Sequence, residues 1–137
     1  MARVYADRRE LPEDFQALLE AGISAECTPP FDIFETADAV EILMDLPGVA
    51  ASEIEIVFSR NVLLIAGRKL PRAFEDGNAA FHAAERVFGR FGRAITLDGA
   101  FDVERATATL AGGELRLVLP RQHDRRGRQI RIPVRTP

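Results

Sequence analysis

The sequence predicts an all-β antiparallel sandwich, with a short helical arm before it and an extended tail after it. Three observations lead there. Several short segments alternate apolar and polar residues with a period of two, turns containing Gly or Pro separate them, and almost nothing after Gly22 repeats with a helical period. With 137 residues there is room for one core of ordinary size plus short appendages. The expected organisation is an arm over residues 1–28, a sandwich over 29–120 and an extension over 121–137.

In the arm, Pro12 is placed to open a helix and Gly22 to close it. Leu11, Phe15, Leu18 and Leu19 then share one face. So short a helix is marginal in water, so this face must rest on something. It either docks on its own domain or a neighbouring subunit, or offers a sticky surface to another protein.

Beyond the stiff Thr28-Pro29-Pro30 the period changes. Val40, Ile42, Met44 and Leu46 fall on one side of an extended run and Glu41 and Asp45 on the other, the pattern of a half-buried strand. Pro47-Gly48 ends it. Ile54, Ile56 and Phe58 repeat the pattern, and Arg60-Asn61 offers a tight turn into Val62–Ala66, so these two strands are expected to form a hairpin. Residues 69–84 contain Pro71, Gly77 and Asn78 and predict a long loop, with Phe81-His82 as its apolar-aromatic spot. The alternation restarts with Val87, Phe91, Ile95 and Leu97. It continues through Ala106, Ala108 and Leu110 and finishes with Leu115, Leu117 and Leu119 before Pro120.

After Pro120 the chain is polar and Arg-rich until Ile130-Arg131-Ile132-Pro133-Val134. Ile130 and Ile132 point to the same side of an extended strand, and Pro133 discourages a central place in a sheet. The segment is either an ordinary last strand or an extended peptide shaped to dock in a groove. Charge is unevenly placed as well. Asp32, Glu35, Asp38, Glu41, Asp45, Glu53 and Glu55 fall in a stretch free of Lys and Arg. Against them, Arg121, Arg125, Arg126, Arg128, Arg131 and Arg135 crowd the tail. The two regions are expected to attract each other.

Several function classes recede. Apolar residues at 47% and charged residues at 28% fit a globular protein rather than a disordered or membrane one. The longest apolar run, Val62–Ala66, is far too short to cross a bilayer, and the N-terminus carries no apolar signal stretch, so a cytoplasmic location is expected. A lone cysteine, Cys27, rules out an internal disulfide framework and leaves an ordinary arm thiol, an intersubunit bridge or a redox sensor. His82 and His123 have no ligands at metal spacing, no Ser sits in a nucleophile elbow, and Gly89-Arg90-Phe91-Gly92 is too short for a phosphate loop. No catalytic residue, cofactor or metal is therefore expected. Nor is nucleic acid, since the chain carries a net charge of −3 and lacks an aromatic platform.

Several motifs, in order and in register, resemble one family. Pro29-Pro30-Phe31-Asp32-Ile33-Phe34-Glu35, followed by Asp38, looks like its opening into the domain, and Asp45-Leu46-Pro47-Gly48-Val49 like its most recognisable turn. Asn61–Arg68, Glu85–Arg93, Ala108–Leu115 and the terminal Ile130-x-Ile132 are similar to its later segments. By these the chain resembles the small heat-shock proteins. Three positions depart from the pattern: Asp98 replaces a usual proline, Gly112 an asparagine and Glu114 an apolar residue. The resemblance implies an alpha-crystallin domain, an antiparallel immunoglobulin-like β-sandwich, and an ATP-independent holding chaperone.

It further implies a dimer in which the long loop, with Phe81 and His82, adds a strand to the partner's sandwich and Arg93 supports the interface. Arg93 would need a carboxylate partner there; otherwise it is a solvated strand arginine. Larger assemblies would follow from Ile130, Ile132 and Val134 filling a groove of a neighbouring subunit lined by Ile54, Ile56, Phe58, Ala108 and Leu110. Unfolding clients would meet Leu11, Phe15, Leu18 and Leu19, and ATP-dependent chaperones would act downstream. The rival reading is a related co-chaperone sandwich that binds one defined partner and does not assemble.

Overall fold

The computed structural model describes residues 2–4, 27–122 and 130–137. These form β1 (Ala2–Val4), β2 (Phe31–Glu35), β3 (Ala39–Asp45), β4 (Ile54–Ser59), β5 (Val62–Lys69), β6 (Gly89–Leu97), β7 (Thr107–Ala111), β8 (Glu114–Pro120), β9 (Ile130–Ile132) and β10 (Val134–Arg135). One sheet has the order β1-β6-β5-β4-β9 and the other β10-β7-β8-β3-β2. Pairing is antiparallel throughout, except that β10 runs parallel to β7.

The period-two residues of facing strands meet between the sheets. Val40 lies opposite Leu119, Ile42 opposite Leu117 and Met44 opposite Leu115, all of them buried. In the other sheet, Ile56 lies opposite Ile65, and Phe58 opposite Leu63, on the adjacent strands β4 and β5. Each such side chain taken from water stabilises the fold by about 1.5–3 kcal/mol as an upper bound. The two-residue turns are left-handed: Arg60 and Asn61 have φ of 50° and 65°, and Gly112 and Gly113 have 58° and 77°. That geometry suits tight hairpins and explains why Gly112 serves where an asparagine would. Gly67 is required for a different reason. A Cβ there would sit 2.3 Å from the Glu53 carbonyl oxygen and 2.7 Å from Cζ of Phe91.

The long loop runs further than the sequence suggests. Val87 was expected on a strand, yet it is 57% exposed and precedes β6. β5 ends at Lys69, opposite Gly89, so nothing remains beyond that point for Val87 to pair with. Ala106 likewise closes a short turn over Val103–Arg105 rather than opening β7. Glu41, expected on a solvated face, is only 9% exposed. Arg116 lies over it, donating from Nε at 2.9 Å and from Nη2 at 2.6 Å to the same carboxylate oxygen. A buried carboxylate needs such a partner.

Candidate tail groove and association surfaces

The sandwich has an open side where the β4 edge of one sheet approaches the β7 edge of the other. The C-terminal segment fills it. In β9, Ile132 lies opposite Ile56, Arg131 opposite Val57 and Ile130 opposite Phe58. Two residues on, in β10, Val134 lies opposite Ala108 and Arg135 opposite Thr109. One extended peptide therefore pairs with both sheets. Pro133 sits at the crossing, where a missing N–H costs no ladder hydrogen bond. Ile132 is 4% exposed and belongs to the core cluster, with Ile54 and Val134 packed against it. Ile56, Phe58, Ala108 and Leu110 are buried in the same cluster.

Within the single chain the tail lies on its own sandwich. Residues 121–129 separate it from β8, and that length reaches roughly 30 Å when extended. The attraction between tail and acidic stretch has a physical form at two points. Arg131 pairs with Glu55, and Nη2 of Arg121 lies 3.1 Å from Oε1 of Glu35. Arg125, Arg126 and Arg128 lie outside the described residues.

The loop over residues 70–88 carries most of the exposed large apolar side chains among the described residues: Leu70, Phe74, Phe81 and Val87, joined elsewhere by Phe34. The rings of Phe74 and Phe81 meet edge to face at 5.4 Å, yet Phe81 remains 71% exposed. His82, beside it, is exposed. A cluster of this kind marks an interaction surface more often than scattered apolar residues do. Leu70 and Phe74 carry no signal in the sequence that marks them as surface residues, and Val87 reads there as part of a strand. Pro71 and Gly77 leave no period around Phe74.

Arg93 stands apart from the loop, on β6, and is half-buried. Its Nη1 donates to the Pro29 carbonyl oxygen at 2.8 Å, and its guanidinium lies 4.4 Å from the centre of the Phe31 ring. Burial lowers its pKa from the ordinary arginine value. Within the chain its partners among the described residues are a carbonyl and an aromatic face. Both satisfy a planar cation without a second charge. Arg93 thereby ties the Pro29–Phe31 segment to β6.

The helical-face residues Leu11, Phe15, Leu18 and Leu19 lie outside the described residues, as does His123. Among the described residues no group of three or more His, Cys, Asp or Glu side chains could hold a metal ion. No helix among them is long and apolar enough to cross a membrane.

Comparison with known proteins places these features in a family. Spore protein SP21 of Stigmatella aurantiaca is 33% identical over 104 residues, covering 76% of this chain and 61% of that protein. Small heat shock protein C4 of Rickettsia felis is 30% identical, covering 77% of this chain and 64% of that one. The chain thus spans somewhat under two thirds of these two relatives' length. Among solved structures, heat shock protein 16.0 of Schizosaccharomyces pombe superposes with a TM-score of 0.65 at 28% identity, covering 73% of this chain and 96% of that one. A small heat-shock protein of Xylella fastidiosa, described as having a distinct high order structure, superposes with a TM-score of 0.61 at 29% identity, covering 77% and 96%. The model of the Hsp20/alpha crystallin family matches residues 32–135, from the first strand of the sandwich to the last strand of the tail, and the chain belongs to that family of small heat-shock proteins.

Proposed function

We propose that this chain is an ATP-independent holding chaperone that works in the cytoplasm as a dimer-based oligomer, binds unfolding proteins and keeps them from aggregating. The observation that carries the reading is the fit of the tail to the slot between β4 and β7. Backbone pairing with both edges fixes its register, and Ile132 loses nearly all its exposure. A slot that accepts this peptide from its own chain accepts the same peptide from a neighbour, because the recognised atoms are identical. Ile130, Ile132 and Val134 of one subunit would then enter the groove of Ile54, Ile56, Phe58, Ala108 and Leu110 in the next.

One such link is weak once ordering costs are subtracted, and several in one particle are strengthened by effective concentration. Phe81 and His82 of the exposed loop, with Arg93 bracing the sandwich end, would form the dimer contact. Clients would meet Leu11, Phe15, Leu18 and Leu19, and any groove whose tail has left. Covering a client's exposed apolar surface slows its aggregation without a catalytic step, and refolding falls to ATP-dependent chaperones.

The test is light scattering of a heat-aggregating client without nucleotide, beside wild type and Ile130→Ala/Ile132→Ala, each sized by chromatography with in-line scattering. Oligomeric wild type that suppresses aggregation, with the variant reduced to dimers, is the expected outcome. A monomeric wild type without effect on the client would point to a sandwich that serves one defined partner instead.

A further inference from the structure

The sheet containing β4, β5 and β6 is apolar on both faces. The alternation that sends Ile56, Leu63 and Ile95 into the core sends Val57, Val62, Leu64, Ala66 and Ala94 the opposite way. Register aligns them across the sheet, with Val57 opposite Leu64 and Leu64 opposite Ala94. An outer face in contact with water carries polar side chains in alternation. Here Val57 is 0% exposed, Leu64 and Ala94 1% and Val62 3%. Ser59 beside them is 3% exposed, and the Thr96 hydroxyl is buried without a hydrogen-bond partner among the described residues. The second sheet lies on the other side and cannot provide the cover.

The path of the chain points to what does. β1 ends with Val4 opposite Ile95. Cys27, where the described chain resumes, donates its backbone N–H to the Arg90 carbonyl at 3.2 Å. Both ends of segment 5–26 are therefore fastened to β6, some five residues apart, or roughly 17 Å along a strand. The helix expected from Leu11 to Ala21 is about 16 Å long. Its apolar face needs a support, and the sheet beside its two anchor points needs a cover.

We infer that the outward face of β4, β5 and β6 is a docking site for the chain's own residues 5–26, with Leu11, Phe15, Leu18 and Leu19 laid against Val57, Val62, Leu64 and Ala94. This goes beyond the chaperone reading and stands without it, since it concerns where the arm rests. Combined with that reading, it means that the arm's apolar face cannot hold a client and the sheet at once. Departure of the arm would uncover two apolar surfaces together.

Thiol accessibility in the full-length chain tests it. In a Cys27→Ala background, Ser59→Cys or Ala94→Cys places a thiol on the outward face with little change of volume. Its reaction with a maleimide is followed with the native arm and with Leu11, Phe15, Leu18 and Leu19 all changed to Ser. Labelling at least tenfold faster in the altered arm, at a rate independent of protein concentration in the native one, is expected. Equal rates overturn the inference. Protection that vanishes on dilution with the arm intact also overturns it, and assigns the cover to a neighbouring subunit. A second measurement leaves the other three arm side chains in place: a chain with Cys27→Ala, Phe15→Cys and Ala94→Cys, treated with a short bifunctional thiol reagent at high dilution, should give an intrachain link. Interchain products alone would refute it.

Discussion

Replacing Ile132 by alanine separates a detachable tail from an ordinary last strand. The substitution removes three carbons from a side chain that is 4% exposed opposite Ile56. At about 0.8 kcal/mol per buried methylene, docking loses about 2–2.5 kcal/mol. That is a fall of roughly 30- to 60-fold in occupancy. A sealed core site would add a cavity term and lose 2–5 kcal/mol of global stability, on the order of measured Leu/Ile→Ala costs. A groove at the sandwich edge instead admits water when the tail leaves. Hydrogen exchange read at residues 130–135 and along Ile56–Phe58 should therefore accelerate by that factor, while exchange in β3 and β8 stays at the wild-type rate. Uniform acceleration across β3, β8 and the tail would refute the reasoning. It would mean that the segment unfolds only with the whole domain.

Other expectations follow from single contacts. Gly67→Ala drives a methyl into the Glu53 carbonyl and the Phe91 ring, which should destabilise the sandwich by about 1–3 kcal/mol; an unchanged melting temperature would show that this approach is not tight. Glu55→Gln removes the carboxylate facing Arg131. The pair is largely exposed, so tail docking should weaken by about 0.2–1 kcal/mol and part of the salt dependence of assembly size should disappear, whereas salt-insensitive wild-type assembly would argue against the charge contact. Phe81→Ser should convert dimers to monomers without lowering the thermal stability of the sandwich, as sedimentation and calorimetry would show. Arg93→Leu leaves the Pro29 carbonyl without its donor. Faster exchange is then expected near β2, and no change there would deny Arg93 its bracing role.

Strands with one face on the core were legible because their side chains must alternate. β3 and β8 read directly from Val40-x-Ile42-x-Met44 and Leu115-x-Leu117-x-Leu119. The short edge strands β1 and β10 were not, because two or three residues hold no period and their pairing is set by distant parts of the chain. The boundary at Val87 was missed because β-propensity says nothing about where a partner strand ends. At the candidate groove, Ile-x-Ile-Pro-Val told of an extended peptide with apolar knobs, but not that Pro133 lets it step from one sheet to the other. The outward face had its own signal. Val62–Ala66 is a continuous apolar run, and such runs mark strands covered on both sides.

Because the tail pairs with β4 and β7 together, its loss would bare two strand edges in one event. Each edge would present unpaired N–H and C=O groups, a template for any extended chain of suitable sequence. A protease cutting within residues 121–129 would therefore do more than shorten the molecule. It would leave a sandwich with two adhesive margins, prone to stack on its own kind into ribbons during storage or purification. Keeping that stretch intact, or supplying the severed peptide in excess, is the practical safeguard that this arrangement of strands dictates.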